Sequence, residues 1–169
     1  MKYLLVYISL LLASCAGTPS GISAVENFSL ERYLGDWYEI ARLDHSFERG
    51  LHKVTANYSL NTDGSVKVIN KGFSEETNQW EEAVGKARFV GNENTGHLKV
   101  SFFGPFYGSY VIFKLHEYYQ YAYVTSYNRE YLWLLSRTPS VEYSIKNDFI
   151  RTVTEKGFDT NELIFVKQD

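Results

Sequence analysis

The stretch that decides the fold class is Val54-Thr55-Ala56-Asn57-Tyr58-Ser59-Leu60, followed directly by Asn61-Thr62-Asp63-Gly64. Apolar and aromatic side chains alternate with polar ones through residues 54–60, which is the period of a half-buried β-strand. The four residues after them are a strong hairpin-turn signal, because Gly64 can adopt a positive φ. Residues 66–73 resume the strand pattern. The stretch therefore predicts two antiparallel strands joined by a tight turn.

The same alternation of strand and turn continues on both sides of this hairpin. We predict six further strands at residues 37–43, 80–90, 98–103, 107–115, 119–125 and 131–136. Eight strands in hairpin order favour an all-β, up-and-down antiparallel barrel, because closing the sheet removes its exposed edges. A sandwich would need longer crossover connections than these turns supply. A barrel with eight strands can hold one small ligand.

One segment near the C-terminus has a helical period instead. Its apolar residues stand four apart, at Val141, Ile145, Phe149 and Val153. This stripe predicts one α-helix with a single apolar face, which would pack against the outside of the barrel. Ser140 is placed for the N-cap of the helix and Gly157 for its C-cap. A short closing strand is predicted at residues 163–166.

The N-terminus carries a separate signal. Residues 3–12 are mostly apolar but too few for a permanent membrane span, and they lead into Leu12-Ala13-Ser14-Cys15. The pattern resembles the lipobox of bacterial lipoproteins. The resemblance implies cleavage before Cys15, a diacylglyceryl group on its thiol and an acyl chain (palmitate) on its new amino group. Because Ala16 is not an aspartate, it also implies the outer membrane, with the protein facing the periplasm. The expected organisation is a signal peptide at 1–14, a lipidated N-terminus and flexible tether at 15–27, and one domain at 28–169.

A second resemblance concerns the domain itself. The segment Gly35-Asp36-Trp37-Tyr38-Glu39-Ile40-Ala41-Arg42 is similar to the first motif of the lipocalin family, and Arg137 matches that family's later arginine. The resemblance implies an eight-stranded lipocalin barrel in which Gly35, Trp37 and Arg137 close the bottom. A guanidinium stacked on an indole contributes about 0.5–2 kcal/mol. Thr125-Ser126-Tyr127 stands where the family usually has Thr-Asp-Tyr, so that motif lacks its aspartate. The blocks that resemble bacterial outer-membrane lipocalins are residues 37–42, 47–50, 68–72, 99–108 and 131–139.

Strand alternation supplies candidates for the ligand cavity. In strict alternation Glu39 and Ala41 share a face with Trp37 and would point into the barrel. A buried carboxylate at Glu39 would bind a polar head group or pair with a buried arginine. A slip of one residue in register would replace the whole set. The other candidates are Tyr58, Val68, Phe89, Val100, Phe102, Tyr110 and Ile112. The rings in residues 102–107 either belong to the hairpin core, or border the barrel mouth or a partner surface.

Composition argues against other function classes. The chain has 17 Lys and Arg against 20 Asp and Glu, a formal charge of −3, and no basic block, so no nucleic-acid partner is expected. The four histidines are not paired at metal-ligand spacing and the single cysteine is used by the anchor, so no metal site or cofactor is expected. No nucleophile elbow or glycine-rich phosphate loop occurs. We therefore do not expect an enzyme.

The expected function follows from the two resemblances. They imply a lipid-anchored outer-membrane lipocalin that binds fatty acids or lysophospholipids, for lipid storage or transport in envelope maintenance under stress. The acyl chain would lie in the apolar cavity and the polar head near the open end. The resemblance also implies a homodimer. Two alternatives stay open: a carrier of another small hydrophobe such as haem or a retinoid, and an envelope interaction lipoprotein with a filled barrel and no ligand.

Overall fold

The computed structural model describes residues 17–169, so the signal peptide and Cys15 lie outside the described residues. These residues form nine strands and two α-helices, together with a 3-10 turn at Thr160–Glu162. The elements are α1 (Leu30–Tyr33), β1 (Gly35–Leu43), β2 (Leu51–Leu60), β3 (Val66–Ser74), β4 (Gln79–Phe89), β5 (His97–Ser101), β6 (Gly108–Leu115), β7 (Tyr121–Thr125), β8 (Leu132–Ser136), α2 (Tyr143–Glu155) and β9 (Leu163–Phe165). Within this range no helix is long and apolar enough to cross a membrane.

The first eight strands close into an antiparallel barrel. Each strand from β2 to β8 pairs with the next in sequence, and β1 pairs with both β8 and β2. The predicted up-and-down barrel is therefore confirmed. Alternate loops lie at the same end, because neighbouring strands run in opposite directions. The loops at residues 44–50, 75–78, 102–107 and 126–131 form one end, which we call the mouth, and α1 lies at the other, the closed end.

The predicted hairpin joins β2 and β3. Leu60 pairs with Val66, and Gly64 has a φ of 76°, which a glycine adopts without steric cost. The Asp63 carboxylate accepts hydrogen bonds from the backbone N–H and the hydroxyl of Ser65, so the turn is fixed by its own side chains. Local chemistry is sufficient to set this register, which is why the sequence predicts it.

The helix α2 covers the outer wall of the barrel. Phe149 and Val153 are fully buried against the outward side chains of β7 and β8, among them Tyr123. The helix begins later than expected: Glu142 occupies the N-cap and makes no side-chain cap bond. The Ser140 carbonyl instead accepts a hydrogen bond from the Thr138 hydroxyl, so this residue belongs to the preceding turn.

The C-terminal tail completes the wall near the mouth. β1 pairs with β2 only in its lower half, and β9 pairs with the upper half of β1, from Ala41 to Leu43. The Gln168 amide then donates to the carbonyls of Glu39 and Val54, one on each side of the gap. The last residues are therefore part of the barrel.

The segment expected to be a flexible tether is instead bound to the barrel in its described part. The Val25 N–H donates to the Ile112 carbonyl, and the Val25 carbonyl accepts from Gly96 N–H. Ile22 is buried in the cluster under α2, and Arg129 donates to the Ser20 carbonyl. The small polar residues of this segment leave its backbone free to add to the wall, which composition alone does not reveal.

Candidate functional site

The closed end is sealed by the residues of the first motif. The Arg137 guanidinium lies 3.9 Å above the ring of Trp37, which is fully buried. Arg137 also donates to the carbonyls of Asp36 and Arg32, both at 2.8 Å, and the Trp37 indole N–H donates to the Tyr33 carbonyl at 2.8 Å. Gly35 has a φ of 95°, and a side chain there would approach Arg137. The three predicted closure residues lie together.

Above this floor the barrel encloses a cavity of about 540 Å³, which opens among the mouth loops. This volume lies within the ordinary range of small-molecule sites, about 300–1,000 Å³. The lining is mostly aliphatic and aromatic, so it suits an apolar chain. The predicted residues that line it are Glu39, Tyr58, Val68, Val100, Phe102 and Tyr110.

Three predicted lining residues do not face the cavity. A register shift opposite β8 between Glu39 and Ala41 turns Ala41 outward, into the cluster under α2. This bulge breaks the strict alternation on which the prediction rests. Ile112 is fully buried in the core at the closed end, and Phe89 packs edge-on against Phe28 there. Both side chains belong to the packed core at the closed end of the barrel, below the cavity.

The same bulge places Arg42 on the inner side of the barrel, a residue that the sequence argument missed. Arg42 is 2% exposed; its Nη1 donates to Glu39 Oε1 at 2.7 Å and its Nη2 to the Glu48 carbonyl at 2.8 Å. Glu39 therefore pairs with a buried arginine, one of its two expected roles. Burial, with the neighbouring Glu48 charge, raises the pKa of Glu39 well above its ordinary value.

Glu48 continues this network at the start of the mouth. Its Oε2 lies 3.0 Å from His45 Nε2 and accepts a hydrogen bond from Trp133 Nε1 at 3.1 Å. Burial favours a higher pKa for Glu48, but His45, Trp133 and Arg42 together hold its pKa below the ordinary value. The cavity wall thus places a carboxyl whose pKa is raised beside one whose pKa is lowered.

Three tyrosines place hydroxyl groups deep in the cavity. The Tyr110 hydroxyl lies 2.8 Å from those of Tyr33 and Tyr58, and all three side chains line the cavity. Burial raises the pKa of each above its ordinary value, so the hydroxyls stay neutral. They satisfy one another, which keeps polar groups paired in an otherwise apolar site.

Aromatic rings surround the mouth. Phe103 and Phe106 are 78% and 75% exposed, yet both also line the cavity. Phe47 stacks on His45 with ring centroids 4.0 Å apart, which covers the buried network from above. Among the alternatives for residues 102–107, the structure therefore favours a position at the border of the mouth over one in the hairpin core.

Comparisons with known proteins agree on one family. A profile described as a lipocalin-like domain matches residues 28–168. The outer membrane lipoprotein Blc of Vibrio cholerae is 58% identical over 165 residues, which is 97% of this chain and 96% of that protein. Blc of Escherichia coli K12 is 50% identical over 150 residues, 89% of this chain and 85% of that protein. Insecticyanin from the tobacco hornworm has a similar fold, with a TM-score of 0.70 at 20% identity over 89% of this chain and 86% of its own.

Proposed function

This chain belongs to the lipocalin family, and from that premise we propose that it carries single-chain lipids, fatty acids or lysophospholipids, for envelope maintenance under stress. The observation that supports the proposal is the apolar cavity of about 540 Å³, closed at one end by Trp37 and Arg137. One acyl chain would lie inside it, with the polar head in contact with water.

The location follows from the relatives. They are outer membrane lipoproteins, and this chain is likewise a lipid-anchored protein of the outer membrane. We assign the anchor to Cys15, the only cysteine, and the body of the protein to the periplasmic side. One residue with two or three acyl chains gives stable attachment. Mass spectrometry of the N-terminal peptide tests the assignment: an unmodified Cys15 in membrane-derived protein would contradict it.

The affinity expected of such a site is in the range of tens of micromolar. A chain that buries ~400 Å² of apolar surface gains ~10 kcal/mol at 25 cal/mol per Å². Association then costs at least about 4 kcal/mol of lost freedom, which leaves about 6 kcal/mol, equivalent to a Kd of tens of micromolar. Lipids with two acyl chains need about twice the volume and should bind more weakly. Family membership points to a binding protein rather than an enzyme.

The test is a titration of the chain beginning at Ala16, which contains all the described strands and both hydrophobic clusters, with a lysophospholipid. Trp133 lines the cavity, so its fluorescence reports occupancy. We expect saturable binding at one site. Ala56→Phe fills the cavity and should abolish binding, whereas Leu60→Phe changes an exposed residue and should not. No saturation in the folded parent protein would overturn the proposal.

One further measurement separates two alternatives: a carrier of another small hydrophobic ligand, and an interaction lipoprotein without a ligand. Organic extraction of protein purified from membranes, followed by mass spectrometry, identifies what the cavity holds. A haem or retinoid in stoichiometric amount would replace the lipid proposal. A folded barrel that yields no ligand and binds none would favour the interaction lipoprotein, although the open cavity is unfavourable to that reading.

A homodimer is the last part of the proposal. Phe103 and Phe106 expose large apolar surfaces beside the mouth, and such surfaces commonly mark interfaces. We expect analytical ultracentrifugation to show a dimer, and Phe103→Ser with Phe106→Ser to shift it to monomer. A monomeric parent protein, or a double variant with unchanged association, would contradict this part alone.

A further inference from the structure

A second depression lies on the outer wall, where strand β5 ends early. β5 pairs with β4 only from Lys86 to Phe89, so residues 79–85 of β4 have β3 as their partner on one side only. The depression has a volume of about 410 Å³, and we call it the side groove. Its lining residues are Asn61, Lys67, Val84, Gly85, Lys86, Ser101, Phe102, Gly104 and Tyr107.

The side groove and the cavity share part of their wall. Phe102 and Tyr107 line both, and they belong to the segment that replaces strand pairing beside β4. Phe102 packs over Gly85 so closely that a Cβ added there would lie 2.8 Å from the Phe102 ring. The Phe102 side chain rather than a hydrogen-bonded strand therefore separates the two spaces, and a ligand can pass between them only when this ring rotates away from Gly85.

The chemistry of the side groove suits an anion. Ser101 is 8% exposed, and its hydroxyl has no hydrogen-bond partner within residues 17–169. Lys67 forms no ion pair with any residue in the same range. Lys86 shares the Asp63 carboxylate with Arg88, at 3.2 and 3.0 Å, so one acid there faces several cations. A buried donor without a partner and an unpaired ammonium are the groups that a phosphate satisfies.

The charged residues that line the cavity are mostly acidic, whereas those that line the side groove are basic. Four of its residues are carboxylic acids, Glu39, Glu48, Glu81 and Glu82, and one is a lysine, Lys71, which pairs with Glu82 at 3.6 Å. An anionic head group would therefore find no free cation in the cavity. The side groove, which shares Phe102 and Tyr107 with the cavity, offers Lys67 and Lys86.

We propose that the side groove binds the phosphate of a single-chain phospholipid whose acyl chain occupies the cavity and passes beside Phe102. This rests on the proposed function, and it names the head group and its position. Ser101 and Lys67 donate to the phosphate oxygens, while Val84 and Tyr107 border the glycerol. Fatty acids and neutral glycerides enter the same cavity without this contact.

The test compares lipids that share one acyl chain. We would measure binding of oleoyl lysophosphatidate, which carries a phosphate, and of monooleoylglycerol, which does not. The parent protein is expected to favour the phosphate lipid by about tenfold. Lys67→Gln and Ser101→Ala should each reduce that preference about fivefold, roughly the effect of one exposed charge-assisted contact, with binding of monooleoylglycerol unchanged.

The control is Lys71→Gln, on the same strand but at the cavity. It should leave the preference unchanged; a loss caused by Lys71→Gln and not by Lys67→Gln would place the phosphate at the mouth and overturn the proposal. Circular dichroism checks that each variant folds. Raising the salt concentration should reduce the preference for lysophosphatidate over monooleoylglycerol, because salt screens the attraction between the phosphate and Lys67.

Two outcomes would contradict the phosphate site without contradicting the proposed function as a lipid carrier. If the parent protein binds both lipids equally, the side groove is not a head-group site, while lipid carriage stands. Binding of inorganic phosphate near Ser101 would be detected by NMR as a change in the chemical shift of its backbone amide. If phosphate binds there but does not compete with lysophosphatidate, the groove holds free phosphate and the proposal fails. Competition by millimolar phosphate supports it.

Discussion

The buried Arg42 network permits a quantitative prediction about stability. The variant Arg42→Met removes the two short hydrogen bonds that Arg42 donates to Glu39 Oε1 and to the Glu48 carbonyl. Arg42 is only 2% exposed, so these acceptors stay buried. Removing one partner of a buried pair costs about 3–5 kcal/mol, because the other group stays buried without compensation. That is a large share of the ~5–15 kcal/mol expected for a domain. Urea unfolding at pH 7 measures the difference.

A second variant separates the lost pair from lost packing. In Arg42→Met with Glu39→Leu, no buried carboxyl is left unpaired, and replacing a buried ion pair by apolar groups is often neutral. We expect the double variant to recover at least about 2 kcal/mol relative to Arg42→Met. The exposed pair supplies the control: Arg151→Met, which breaks a contact with Asp148 at the surface, should cost less than about 1 kcal/mol. A loss below 1 kcal/mol in Arg42→Met would refute the reasoning.

Three further predictions use other parts of the barrel. Trp37→Ala should lower the free energy of unfolding by about 3–5 kcal/mol, measured by urea unfolding, because it leaves a hole under Arg137 at the closed end. Gly64→Ala should lower the melting temperature through about 1–2 kcal/mol of backbone strain, since its φ is 76° and no atom lies within 4 Å of the added Cβ. The pKa of Glu48 is held below 4.5 in the folded state, so its contribution to stability is present above that pH and is lost as pH falls; Glu48→Gln should lower stability at pH 7 and flatten this acid limb in a pH series of unfolding curves.

Features set by neighbouring residues were predictable from the sequence. The turn at Gly64 and the stripe ending at Phe149 and Val153 depend on local spacing, and both are observed. The motif around Trp37 resembles that of the lipocalins, and from this resemblance the closed end of the barrel was predicted. The family is confirmed.

Features that depend on distant contacts were not predictable. A bulge opposite β8 exchanges Ala41 for Arg42 on the inner face, and no pattern within β1 announces it. The hydrogen bonds of Val25 to Gly96, just before β5, and to Ile112 in β6 join residues about 70–90 positions apart, so composition alone suggested a tether. The side groove exists because β5 ends at Ser101 while β4 extends back to Gln79, and no local pattern shows that residues 79–85 lack a second partner strand.

The C-terminal tail joins two parts of the barrel wall that are far from it in sequence. Gln168, next to the last residue, bridges Glu39 and Val54 across the gap between β1 and β2. The seam between β1 and β2 is therefore held by residues from the far end of the chain, which couples the first strand of the barrel to the last one in folding.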